Sequence, residues 1–214
     1  MTKLRPGRWA RWAVAVGIAA VVFHFVPLFR VLPLESARQQ AVGTAFNAEA
    51  FAETFWHQRL LKADPSAVEA ARLVKALRDD PAGASRLGRR LGLSRTSSFF
   101  VSGTGQILSV APDAVTIRLE GDPGDARVLI ETGPVFGNAI RDGSGLLDVS
   151  AFPNSQDFNA ISTALNRRVE ADVLPALRDR ARVGARVRFL GCAEVEDLAG
   201  AEPLRIVPIR IEWP

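Results

Sequence analysis

From Ser98 onward the apolar residues change their period, and the order of segments that follows leaves few folds open. Ser98 to Ser109 reads as a strand carrying Phe99, Val101, Gly103, Gly105 and Ile107. Val115-Thr-Ile-Arg-Leu-Glu120 alternates with period two, as a half-buried strand does, and Arg127-Val-Leu-Ile-Glu131 supplies a third strand after a Gly-Asp-Pro-Gly-Asp turn. A helical stretch comes next, about 155–180. Its residues Phe158, Ile161, Leu165, Val169 and Val173 share one stripe, and Pro175 predicts a kink or break. Two more strands close the chain. The first spans 186–195, with Val187, Phe189 and Cys192 as inward candidates, and the second spans about 204–213. Five antiparallel strands with a helix between the third and fourth is the connectivity of an OB-like β-barrel. The Gly103/Gly105 pair suits the strong bend that such a small barrel needs. A different small α+β arrangement is the alternative.

Before this body come shorter helical patterns. Asn47 is placed to cap a helix that carries Phe51, Phe55 and Leu61 near one face, with Trp56 and Leu60 beside it. Asp64-Pro65-Ser66 predicts the start of a second helix ended by Asp79-Asp80-Pro81, with Pro65 in its first turn and Val68 on its apolar face. A third is expected from about 81 to 91. The division that results is residues 1–35 as a basic end plus membrane helix, 36–95 as a helical arm packed on the barrel, and 96–214 as the barrel, an α+β chain overall.

The N-terminal assignment rests on Trp12 to Phe29, which contains no charged residue. At ~1.5 Å per helical residue the run is about 27 Å long, close to the ~30 Å hydrocarbon core. Lys3, Arg5, Arg8 and Arg11 precede it, so the rest of the chain is expected on the outer face of the inner membrane. The run is long for a cleaved signal, which makes it a retained single-pass anchor with the C-terminal domain in the periplasm. The same four cations explain the charge balance: 27 basic against 23 acidic residues gives +4, and that surplus lies ahead of Trp12. A neutral exported body lacks the cationic face that nucleic-acid binding requires.

The densest polar block is Glu131 to Asp142, followed by Phe152-Pro-Asn-Ser-Gln-Asp-Phe-Asn159. Gly133-Pro134 and Gly137 set a tight loop. Arg141 and Asp142 either pair locally or present Arg141 to an anionic ligand. Asn154, Gln156 and Asn159 sit at a helix start. Two readings stand: a turn-rich connection satisfying its own backbone, or a small polar pocket whose amides suit hydroxyl-rich ligands. On the second reading Arg141, Asp142, Asn154, Gln156 and Asn159 bind the ligand. Phe55 and Trp56 are either core residues or a partner-binding patch.

Other chemistry is poorly supported. There is one cysteine, Cys192, in an apolar strand. His57 has no second histidine in the exported body to share a metal, and no serine lies in a G-x-S-x-G context. No cofactor or catalytic set is implied. A hydrolase working through paired carboxylates is the weakest of the classes considered.

Several motifs together resemble a known family. They are Phe46-Asn47 with Phe51-Ala52 and Phe55-Trp56, Gly103-Thr-Gly105 with Ile107 and Val110, Thr132-Gly-Pro-Val135, Ala139-Ile-Arg-Asp142, Phe152 with Asn154, and Ala164-Leu-Asn166. This set is similar to DUF2291, a family of predicted periplasmic lipoproteins. The resemblance covers roughly 46–213. It implies an envelope protein beside a sugar ABC transporter or its solute-binding protein, with no assigned activity. The chain departs from the family where a lipid-bearing Cys would stand, since Phe29-Arg30-Val31 occupies that place. The combined expectation is a non-enzymatic accessory or binding module of a sugar transport system; the alternative is a binder of a sugar or sugar phosphate.

Overall fold

The computed structural model describes residues 46–90, 94–121, 125–152, 154–200 and 203–214. The apolar run Trp12–Phe29 lies outside them. Among the described residues no helix is long and apolar enough to cross a membrane. Phe46–Pro214 forms one compact unit.

Six strands make the sheet: β1 (Val68–Glu69), β2 (Ser97–Val110), β3 (Ala114–Leu119), β4 (Arg127–Glu131), β5 (Arg186–Val195) and β6 (Leu204–Glu212). Their order is β1-β2-β3-β4-β6-β5, and β2 also pairs with β5, so the last five strands close into a barrel. β4 and β6 run parallel, while the other barrel pairs are antiparallel. The five expected strands are therefore present, though not all antiparallel as expected, and a sixth adds to them. β1 is two residues long and lies parallel to β2 through Val68↔Val101 and Glu69↔Ser102.

Closure depends on the length of β2. Its N-terminal part pairs with β5 from Ser97 to Gln106, and its C-terminal part pairs with β3 from Gly105 onward. At Gly105 both neighbours are present, Leu119 on one side and Val187 on the other. A Cβ there would lie 2.2 Å from the Arg118 carbonyl oxygen and 2.5 Å from Ile117 Cγ2. Only a residue without a side chain lets the strands approach this closely.

The helices are α1 (Ala48–Phe55), α2 (Ala70–Asp79), α3 (Pro81–Ala84), α4 (Ala139–Gly143), α5 (Ser155–Arg168) and α6 (Leu174–Arg180). Asn47 caps α1 by accepting a hydrogen bond from Ala50 N–H. The second helix begins later than expected. Pro65 lies inside a 3₁₀ turn (Leu61–Ser66), Val68 enters β1, and α2 starts at Ala70. The expected 81–91 helix is only the four residues of α3 plus a 3₁₀ turn to Leu87. Pro175 does break the long helix, by a route with a clear cause. It has no N–H to give to the ladder, and the chain passes from α5 to α6 through a π-helical turn, Val169–Val173, in which Leu174 N–H reaches Val169 O.

Two cores result. One fills the barrel and its end: Phe99, Val101, Ile107, Val115, Ile117, Val128, Ile130, Val187, Phe189 and Ile206, closed by Leu73, Val74 and Leu77 of α2 and Leu177 of α6. The other lies outside the barrel wall, where α1 and α5 cover Phe100, Leu190, Cys192, Val207 and Ile209. Phe55 and Trp56 belong to this second core at 2% and 4% exposure, so they hold the helices to the barrel and offer no face to a partner. β5 is buried on both sides. Its alternation is unbroken: Val187, Phe189, Ala193 and Val195 face the barrel core, while Leu190 and Cys192 face the outer core, so Cys192 does not point inward as expected. There the thiol is fully buried beside Gly143, where a Cβ would come within 2.9 Å of its sulfur.

Candidate functional site

The block from Thr132 to Asn166 folds into two adjoining parts, a closed ion-pair cluster and an open cleft, and the residues expected to bind ligand divide between them.

Arg141 sits on α4 at 4% exposure. Its Nε and Nη2 donate to Asp142 Oδ1 and Oδ2 at 2.7 and 3.1 Å, and its Nη1 donates to Asn159 Oδ1 at 2.9 Å and to Phe158 O at 3.5 Å. The guanidinium lies 4.1 Å from the Phe158 ring centroid. A fork whose donors are met and whose face is covered by an aromatic ring is a fastening between α4 and α5. It leaves little for an anion, so of the two possibilities for Arg141 the local pair is the one observed. Asn154 is occupied as well. Its Oδ1 accepts from Asp157 N–H and its Nδ2 donates to Asp157 Oδ2, capping α5. Gln156 is exposed on the first turn of α5, away from the fork. Of the five candidates, Arg141, Asp142 and Asn159 come together, and Asn159 alone also reaches the cleft.

The cleft encloses about 430 Å³ between the loop 135–138 and α5, a volume in the usual range for small-molecule sites. Asn159, Ser162, Thr163 and Asn166 line it from the helix, continued by Glu170 in the π turn. Spacings of three and four residues put these polar groups on one face. The opposite wall is pinned. Val135 N–H donates to Glu170 Oε1 at 2.8 Å, and Asn166 Nδ2 donates to Gly137 O at 3.1 Å. Gly137 takes φ +82°, and a Cβ there would meet Glu194 Oε2 at 3.2 Å. Asn138 N–H donates to Glu194 behind the loop.

Ser162 is the least satisfied group in this arrangement. The residue is 6% exposed, and its hydroxyl is buried without a hydrogen-bond partner. A helical serine ordinarily turns back to the carbonyl four residues earlier. Here that carbonyl is Phe158 O, which already receives Arg141 Nη1. A buried hydroxyl without a partner is costly; the residue borders the cleft, while its oxygen is closed off from it. Ser162, Thr163, Phe136 and Glu170 escaped the reading by motif. Their signal was the run Asn159, Ser162, Asn166, Glu170, which passes for a solvated helix face.

Nearby titratable groups bear on the chemistry. Burial, and then Glu194 and Asp142, push the Cys192 thiol far up, which leaves it no thiolate with which to react. Burial first, and then Asp142, raise Glu194 above the usual carboxylate range. Folding therefore favours the protonated form of Glu194. That preference costs stability once pH exceeds the folded-state value, and the cost disappears as pH falls below the unfolded one. Glu194→Gln is expected to melt above wild type at pH 7, with the gap closing towards pH 4; melting curves across that range check it. His57 is exposed and lies between Glu53 at 3.3 Å and Arg168 at 2.9 Å. Among the described residues no group of three His, Cys, Asp or Glu side chains is placed to hold a metal.

The family model described as predicted periplasmic lipoprotein (DUF2291) matches residues 17–212. The chain belongs to the DUF2291 family. Membership places it with envelope proteins that are periplasmic and membrane-associated, and the family description names no activity. No curated protein matches. Among solved structures, the crystal structure of an OB-fold protein from Thermotoga maritima is similar, with a TM-score of 0.70 at 21% identity. The match covers 80% of this chain and 100% of that one. At this identity the likeness speaks to the barrel alone, and it agrees with the strand order. For this DUF2291 member the pinned loop and the unpartnered serine remain features of its own structure.

Proposed function

We propose that this DUF2291 protein is a non-enzymatic binding module of the periplasm. On this reading the apolar run Trp12–Phe29 anchors it in the inner membrane as a single pass, and it works beside a sugar ABC transporter or its solute-binding protein. Its cleft takes a small hydroxyl-rich ligand. The observation that carries the ligand reading is the cleft itself, which sets the amides of Asn138, Asn159 and Asn166 and the hydroxyl of Thr163 beside Arg167 and Glu170. Such a set exchanges hydrogen bonds with vicinal hydroxyls in both directions. It offers no nucleophile paired with a base, as covalent catalysis requires.

Thermal melts of the full chain in detergent against a panel of sugars, polyols and sugar phosphates test the ligand. A true ligand at a hundredfold excess over its Kd stabilises by about 2.7 kcal/mol, and a flat panel contradicts the reading. The transport partner is tested separately by affinity capture from mild detergent extracts. Recovery of a transporter subunit or solute-binding protein supports it. Empty captures, where other envelope complexes survive, count against it.

A further inference from the structure

Phe136 is 80% exposed, the only aromatic side chain among the large exposed hydrophobics of the described residues. Leaving a phenyl ring in water forgoes roughly 2 kcal/mol or more of burial free energy. Its neighbours explain why the ring stays out. Val135 is tied to Glu170 and Gly137 to Asn166, so the backbone on both sides is fastened to the helix. The same ring also lines the cleft, so an apolar flat surface stands next to a row of amide and hydroxyl groups.

The charges in the cleft are already engaged. Arg167 Nη1 donates to Glu49 Oε1 at 2.7 Å, and Glu170 holds Val135 N–H. With one cation and one anion, Arg167 and Glu170, the cleft lining carries no net positive charge to neutralise a phosphate. Asn159 has its oxygen occupied by Arg141 and retains its N–H donors, while Asn166 has one N–H occupied and retains its oxygen as an acceptor. The ligand that matches has an apolar face on one side, hydroxyls at its edge and no charge.

We propose that the cleft is a subsite for a neutral pyranose, with the Phe136 ring stacked on the CH face of the sugar and its ring hydroxyls bonded to Asn159 and Asn166. This rests on the small-ligand reading above and narrows it to one chemical class and one contact. Acyclic polyols lack the rigid CH face, and sugar phosphates bring a charge that the cleft does not balance.

The test is titration of the full chain in detergent with neutral aldohexoses, their 6-phosphates and a hexitol. Binding is read by ligand-observed NMR and stability by thermal melting. Wild type is expected to bind at least one aldohexose in preference to the hexitol and to the phosphates. Phe136→Ala is expected to weaken that binding by about tenfold, as the loss of an aromatic contact does. Its melting temperature should stay at the wild-type value, because the ring is exposed. Phe136→Trp restores binding. If the hexitol or a phosphate binds as well as the aldohexoses, or if Phe136→Ala binds normally, the pyranose proposal is overturned while the small-ligand reading survives. If nothing on the panel binds, both fall. If Phe136→Ala instead abolishes capture of a protein partner and leaves sugar binding intact, the ring is a docking contact and the proposal is wrong.

Discussion

Gly105→Ala is expected to cost roughly 3 kcal/mol of stability, the upper end for overpacking, because the new methyl must displace backbone. The nearest atom is the Arg118 carbonyl oxygen at 2.2 Å, part of the β3 strand itself, and it cannot rotate away as a side-chain end can. Gly105 pairs with Leu119 on one side and Val187 on the other, so any shift that relieves one interface strains the other. Gly133→Ala is the matched control. Its nearest neighbours would be Asp113 atoms at 3.9 Å, ordinary contact distance, and a change within about 0.5 kcal/mol is expected. Urea unfolding of both variants at constant m-value decides the matter. Equal midpoints would mean that β2 is not held between β3 and β5 as described.

Arg141→Leu is expected to be at least as damaging, at about 3–5 kcal/mol, the usual cost of breaking a buried pair from one side. The loss leaves Asp142 at 13% side-chain exposure without its fork, and it leaves Asn159 Oδ1 without its donor. Arg141→Lys should recover part of the loss, since a single ammonium cannot satisfy both carboxylate oxygens and the Asn159 amide together. Joint replacement of Arg141 and Asp142 by leucine should cost less than the two single changes summed, since neither charge is then stranded. Denaturant midpoints of the four proteins measure the coupling. An Arg141→Leu protein as stable as wild type would return Arg141 to the role of an exposed ligand group.

These two residues show how unevenly the sequence discloses the fold and the site. The barrel was legible because strands and helices differ in period, and because glycines in β2 and a helix between the third and fourth barrel strands are features of local sequence. Asn47 and Asn154 were legible as caps for the same local reason. β1 was not. Two residues establish no period, and Val68 fits the helical spacing of α2 equally well. The face of Cys192 was legible, since period two from Val187 and Phe189 puts it opposite them; what misled is that β5 is apolar on both faces in its middle, so hydrophobicity alone does not tell inward from outward.

At the site, Arg141 and Asp142 drew attention as charged residues in a glycine-rich block, and the structure spends their charge on each other. Ser162 escaped notice because a serine on a helix has a routine partner four residues back. It lacks that routine partner because Arg141, a separate element of the fold, donates to the same carbonyl. Phe136 escaped for a different reason. An aromatic residue in a loop is expected to fold inward, and nothing in the local sequence shows that this ring stands 80% exposed between backbone groups bonded to Glu170 and Asn166.

The account depends most on the cleft between the loop 135–138 and α5 being where a ligand sits. The direct measurement is amide chemical-shift mapping on the full chain in detergent, titrated with whichever neutral aldohexose stabilises it. The predicted result is saturable shifts concentrated on Val135 to Asn138 and on Asn159 to Asn166, with β3 and β4 unmoved. Shifts confined to the barrel strands, or none at the loop and α5, would contradict it.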